Sequence, residues 1–211
     1  MSDTARWFGL YPAIVVDIVD QTNLGRIKVR LPSLGDDGGM FAWATLLSPY
    51  AEDGQGFQAL PSVDTHVVVG FLAGDPDHPY IVGAAWNGRE KQPLPAERRN
   101  DKRSLVTRSG SRLEFDDAQG AAKITVSTSG GHIVELDEGA RRITVRHSDG
   151  AMVTLESANV TVVANASVTV NAVTVDLNAP TVNCSGHVNC ASLTTGSITS
   201  AIYSPGVGNI W

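Results

Sequence analysis

His132, Glu135, Asp137 and His147 fall within one short stretch and are the residue types that general acid–base chemistry uses. Their spacing follows repeated strands and turns, and no recognisable nucleophile motif accompanies them. Glu114, Glu135 and Glu156 recur at equivalent places of a repeat, which favours an architectural role over a glycosidase pair. Asp75, Asp77 and His78 in the run GDPDHP could ligate a metal, but acids and prolines in that order also build a rigid turn, the reading preferred here. Asp36 and Asp37 beside Gly38 and Gly39 are too irregular for a calcium loop. Cys184 and Cys190 lack the clustered ligands of a zinc site and read as small core residues rather than a disulfide. The expectation is a non-enzyme without cofactor or metal.

The elements that carry these residues are strands. Residues 11–20 (YPAIVVDIVD) and 26–32 (RIKVRLP) read as a hairpin across the turn QTNLG. In the second strand Ile27, Val29 and Leu31 face one way and Arg26, Lys28 and Arg30 the other. MFAWATLLSPY, THVVVGFLAG and YIVGAAW supply three more strands, with a Gly-rich excursion before the second of these and DPDHP between the last two. Five short strands with long loops predict a small OB-type Greek-key barrel; an SH3-like barrel is the structural competitor. Phe41, Trp43, Phe71 and Trp86 could stack bases and the three cations could follow phosphates. With a formal net charge of -6 and no continuous basic stripe, specific nucleic-acid binding is not expected.

The ordered set from Val16 and Asp17 through Gly25-Arg26-Ile27-Lys28-Val29, Trp43, Pro61, the VVVGF strand, Gly74-Asp75-Pro76-Asp77-His78-Pro79, Gly83 and Trp86-Asn87-Gly88 resembles the OB domain of the phage baseplate assembly protein V and VgrG spike family. The resemblance implies a trimeric central spike in a contractile tail or related injection machine, with no catalytic residues in the barrel. It implies that Arg26, Lys28 and Arg30 are candidates to face a separate hub protein. Some relatives carry an inserted lysozyme domain, for which the short junction here leaves no room. Others carry a histidine-X-histidine iron motif near the tip, which this sequence lacks.

Residues 89–103 (REKQPLPAERRNDKR) form a charged, proline-bearing boundary. Beyond it a loose repeat begins at Gly110, Gly131 and Gly150, each followed by an alternating strand ending in acids, with KITV and RITV between. Leu113 with Phe115, Val134 with Leu136, and Val153 with Leu155 hold equivalent inward positions. From residue 151 onward there is no Lys or Arg and the only acids are Glu156 and Asp176. The strands there shorten to VTVV, SVTV, VTVD and PTV. One chain cannot cover so narrow a core and also protect its strand edges, whereas three chains around an axis do both. The predicted architecture is therefore all-β: an OB-fold barrel over residues 1–88, a charged linker over 89–108, an intertwined trimeric triple-stranded β-helix over 109–202, and a tip or cap over 203–211. A monomeric parallel β-helix is the alternative. Val160, Val162, Val168, Val170, Val173, Val175 and Val182 join the six earlier positions as trimer-core candidates. Three copies of His187 would meet in such a shaft, but a structural histidine is the simpler reading. Tyr203, Ile210 and Trp211 are candidates to cap the needle or dock a pointed tip protein.

The polar opening residues and the lack of a long apolar run predict synthesis in the host cytoplasm, followed by assembly into a virion or particle baseplate. The function expected is a structural central spike joining a hub to a membrane-piercing needle, with transient contact at the target membrane. A trimeric receptor-binding tail fibre is the alternative, and a secreted polysaccharide-processing β-helix a third class, disfavoured by the missing acid constellation.

Overall fold

The computed structural model describes residues 6–202. Residues 6–165 belong to one compact unit and 166–202 to a second, and each is described by itself.

Five strands close a barrel in the order β1-β2-β3-β7-β6: β1 Leu10–Asp17, β2 Arg26–Leu31, β3 Met40–Leu46, β6 His66–Phe71 and β7 Pro79–Ala84. Every neighbouring pair is antiparallel except β3 and β7, which run parallel through Thr45 opposite Tyr80 and Leu46 opposite Ile81. The closing contact joins strands distant in sequence, which local alternation could not reveal. Alternation along β2 is realised in full: Ile27, Val29 and Leu31 are buried with Val15, Val67, Val69 and Ile81, while the three cations point out. Between β3 and β6 the Gly-rich excursion folds a two-residue-per-strand hairpin, β4 Ala51–Glu52 with β5 Gln55–Gly56. GDPDHP is a turn: His78 N–H donates to the Asp75 carbonyl at 3.1 Å, Asp77 N–H to Asp75 Oδ1 at 3.0 Å, and the His78 ring to Asp75 Oδ2 at 2.9 Å.

The same unit continues into a seven-stranded antiparallel meander, β8 Lys102–Val106, β9 Arg112–Asp116, β10 Lys123–Ser127, β11 Ile133–Asp137, β12 Arg142–Arg146, β13 Met152–Leu155 and β14 Val160–Val163. The glycine repeat is a repeat of one turn. At Thr107–Ser111, Thr128–His132 and His147–Ala151 the first residue's N–H donates to the last residue's carbonyl at 2.9, 3.0 and 2.8 Å. Gly110, Gly131 and Gly150 sit in these turns at φ 86°, 87° and 96°, backbone that side-chain-bearing residues rarely adopt. At the other end of the strands, six residues separate β9 from β10 but only four separate β11 from β12. That difference of two is why the glycines recur at unequal intervals.

The meander starts at Lys102, inside the segment expected to be linker. Charged residues around Leu105 conceal the strand, yet Leu105 pairs directly with Leu113. Arg108, in the first turn, donates to Ser62 Oγ at 3.0 Å and ties the meander to the barrel's long loop.

Residues 166–202 form no strand in the single chain, although their valines and threonines alternate. Extended backbone without a hydrogen-bonding neighbour cannot register as a sheet. Cys184 and Cys190 are exposed and unpaired within the chain, so the single chain does not place them in a core.

Candidate functional site

Cross-strand register assembles two continuous apolar rows on one face of the meander. The first runs Leu105, Leu113, Val126, Val134, Val145, Val153 and Val162, each directly opposite the next. The second runs Phe115, Ile124, Leu136, Ile143, Leu155 and Val160. None of these side chains is buried: among the described residues, every buried apolar side chain of the core lies in the barrel. Phe115 is 42% exposed, Leu136 42% and Val160 69%, so the face is uncovered from end to end. At the strand ends beside the second row, Phe115, Ile124, Leu136, Ile143 and Leu155 share a trough of about 610 Å³ with charged side chains that include Lys123, Glu138 and Arg141. A soluble chain rarely leaves such a contiguous apolar surface unpartnered.

The opposite face is polar, and most of its charged side chains pair with one another, although the buried Arg142 Nε has no hydrogen-bond partner. Lys102, Asp116, Lys123, Asp137 and Arg142 oppose one another in sequence across five strands, alternating in sign. The Lys102 ammonium lies 3.7 Å from Asp116 and 3.6 Å from Glu114, and Arg112 reaches Glu114 at 3.0 Å. Asp137, 8% exposed, accepts from the Lys123 ammonium and from the Ala140 N–H at 2.8 Å. The ammonium, then the amide, hold its carboxyl below the usual carboxylate range. A neighbouring row, Ser104, Glu114, Thr125, Glu135, Thr144, Thr154 and Thr161, completes a hydrophilic surface.

The register also disperses the acid–base candidates. Glu135 sits on the polar face and Asp137 is ion-paired at the far end of β11. His132 and His147 stack on each other at the opposite strand end, with ring centroids 4.3 Å apart. Among the described residues, no group of three or more His, Cys, Asp or Glu could hold a metal ion.

On the barrel the three outward cations differ. Arg26 is consumed by the β1–β2 turn: its Nε lies 2.9 Å from Asp20 Oδ2, and its Nη2 donates to both Asp20 Oδ1 and the Thr22 hydroxyl. The guanidinium and that hydroxyl together hold the Asp20 carboxyl far below the usual range. Lys28 stands 5.9 Å over the Phe41 ring, and Arg30 lies opposite Phe41 and Ile14. Among the described residues neither pairs with a carboxylate, leaving two cations beside exposed aromatic surface.

Of the trimer-core candidates, Leu113, Phe115, Val134, Leu136, Val153, Leu155, Val160 and Val162 share the uncovered face. Val168, Val170, Val173, Val175 and Val182 lie in the second unit, exposed in the single chain. Tyr203, Ile210 and Trp211 fall outside the described residues. Sequence reasoning passed over Leu105, Ile124, Val126, Ile143 and Val145. The last four were announced by the alternation in KITV and RITV; Leu105 carried no signal apart from its pairing.

Residues 11–86 match the family model of the type VI secretion system/phage-baseplate injector OB domain. The chain is 30% identical over 110 residues to the type VI secretion system spike protein VgrG3 of Vibrio cholerae, an alignment covering 48% of this chain and 11% of that protein. It is 32% identical over 112 residues to VgrG4b of Pseudomonas aeruginosa, covering 48% of this chain and 14% of the relative. With VgrG5 of the same organism it shares 29% identity over 136 residues, 57% of this chain and 17% of the relative. The chain therefore carries an injector OB domain and resembles spike proteins several times its length over about half of its own.

Proposed function

We propose that this chain is the structural central spike of a contractile tail baseplate or related injection system, active as a homotrimer. The uncovered double row of apolar side chains, on a sheet that directly follows an injector-type barrel, is the observation that carries this reading. Three copies turning these faces toward one axis would remove them from water, and each half-exposed valine or leucine would then contribute about 1 kcal/mol. The polar face, with its ladder of charged side chains, would remain outside. Edge strands β8 and β14 would be shielded by neighbouring copies.

The second unit follows the same logic further. Its alternating valines have neither core nor ladder within one chain, and winding three chains into a triple-stranded β-helix supplies both. Residues 166–202 contain a single charged side chain, Asp176, so the rod would meet a target membrane with little charge to desolvate. The barrel would join a separate hub protein, using Lys28, Arg30 and the Phe41 surface, and the far end would cap itself or receive a pointed tip protein. Such a spike would be made in the host cytoplasm and reside in the particle baseplate.

The decisive experiment is density for an assembled particle containing this chain, together with co-purification of a baseplate hub. A position on the threefold axis beneath the hub is expected. Placement at the periphery, as a receptor-binding fibre, would overturn the assignment.

A further inference from the structure

We propose that His132 and His147 form an acid-labile clasp between successive turns of the meander. The pair continues the β11–β12 register by one step beyond Ile133 and Arg146, and alternation puts it on the face of Val134 and Val145. The rings tilt 44° to one another. Each uses Nδ1 as an acceptor: Ser148 N–H donates to His132 Nδ1 at 3.3 Å and Asp149 N–H to His147 Nδ1 at 3.2 Å. A ring nitrogen accepts only through its lone pair, so this geometry requires Nδ1 of both rings to carry no proton. Two consecutive amides of one turn are thereby held by two rings from different strands. The same geometry argues against a metal site, since the Nδ1 lone pairs are already engaged.

Protonation reverses every part of this arrangement. An Nδ1–H would face each backbone N–H, both hydrogen bonds would be lost, and two cations would stand within a ring's width. The surroundings offer limited relief. Asp149 Oδ2 lies 3.6 Å from His147 Nδ1 and can hold one imidazolium. The turn carrying Ser129, Gly130 and Gly131 has no charge, and Asn165, beyond β14, donates to the Asp149 carbonyl without adding any. Of the other charged groups at this strand end, Arg108 is bound to Ser62, and Arg146 and the ion-paired Arg112 and Glu114 lie on the opposite face. A proton on His147 Nδ1 therefore releases the Asp149 amide while gaining Asp149 Oδ2 as a partner, and a second proton, on His132, releases Ser148 with no such compensation. The contacts that make the clasp all lie within one chain, although the pair is on the face that three copies would turn toward a common axis.

Amide hydrogen exchange on the full chain tests it, with each rate divided by that of an unstructured peptide at the same pH. Protection of the Ser148 and Asp149 amides should fall about tenfold between roughly pH 7.5 and 5.5. Protection at Gly110, in the equivalent turn without histidine, should hold constant. The double variant His132→Asn, His147→Asn, at positions exposed in the single chain, should lose the pH response while keeping the protection of Gly110. Asp149→Asn should enlarge it, providing a second arm independent of the histidine variants. A wild-type response that is absent, shared by Gly110, retained in the double variant or unchanged in Asp149→Asn would overturn the proposal.

Discussion

Lys123 and Asp137 face each other across β10 and β11, with the ammonium on the carboxylate at 2.5 Å and the carboxylate among the least exposed groups of the meander. The pair sits in the middle of an alternating ladder that stitches five strands together on the polar face. It also anchors the β11–β12 turn through the Ala140 amide.

Asp137 titrates below its ordinary value because the Lys123 ammonium and the Ala140 amide stabilise its charged form. The unfolded chain therefore binds this proton more readily than the folded one. The contribution is complete above about pH 4 and is lost as pH falls from there through the folded-state value. Asp137→Asn should lower the melting temperature at neutral pH by about 2–4 °C and flatten the acid limb of the stability profile. Thermal melts of both proteins at pH 7 and below pH 4 make the comparison; an unflattened acid limb in the variant would refute the role assigned to this carboxylate.

The uncovered face predicts a native mass of three times the chain's 22.3 kDa. Val134→Asp or Leu136→Asp should shift that mass toward the monomer, because three acids would be brought together in an apolar interior. Val168→Asp and Val170→Asp should do the same for the second unit. Light scattering coupled to size exclusion reads the outcome, and a trimer unaffected by all four substitutions would show that these side chains point elsewhere.

The outward cations of β2 should separate by function. Arg26→Ala removes the partner of Asp20 and should destabilise the barrel, most visibly above about pH 4, where an unpaired Asp20 is charged. Lys28→Glu with Arg30→Glu should leave the melting temperature within a few degrees while weakening hub association about tenfold or more. Calorimetric melts and binding titrations with the hub distinguish the two. Equal loss of stability in both variants would remove the case for a docking role.

Gly131 occupies φ 87°, and a methyl group added there meets nothing closer than Ser148 Cβ at 3.5 Å. Gly131→Ala should therefore cost only the backbone strain of about 1–2 kcal/mol. Gly139 is the converse: an added Cβ would approach the Gly120 carbonyl oxygen to 2.8 Å, so Gly139→Ala should displace the facing turn. Denaturant unfolding should show a loss at both sites, with altered exchange around Gly120 only in the second variant.

Much of this protein is written in its residues. Alternation along 26–31 determined which side of β2 became core, because a strand has only two faces and three aliphatics chose one. The glycines at 110, 131 and 150 determined the turns, because only a residue without Cβ accepts that backbone readily. The composition of residues 166–202, with Asp176 as the one acid and no Lys or Arg, likewise set apart a segment that a single chain cannot fold into a core. Tertiary structure decided what no local pattern contains. The parallel β3–β7 closure joins residues too far apart in sequence for alternation to pair them. Leu105 joined the apolar row only because Leu113 stands opposite it, despite its charged surroundings. Glu135 and Asp137 separated from the two histidines because alternation and strand length, rather than proximity in sequence, set which face and which end of a sheet a side chain occupies. Register is a property of pairs of strands, and a pair exists only once the chain has folded.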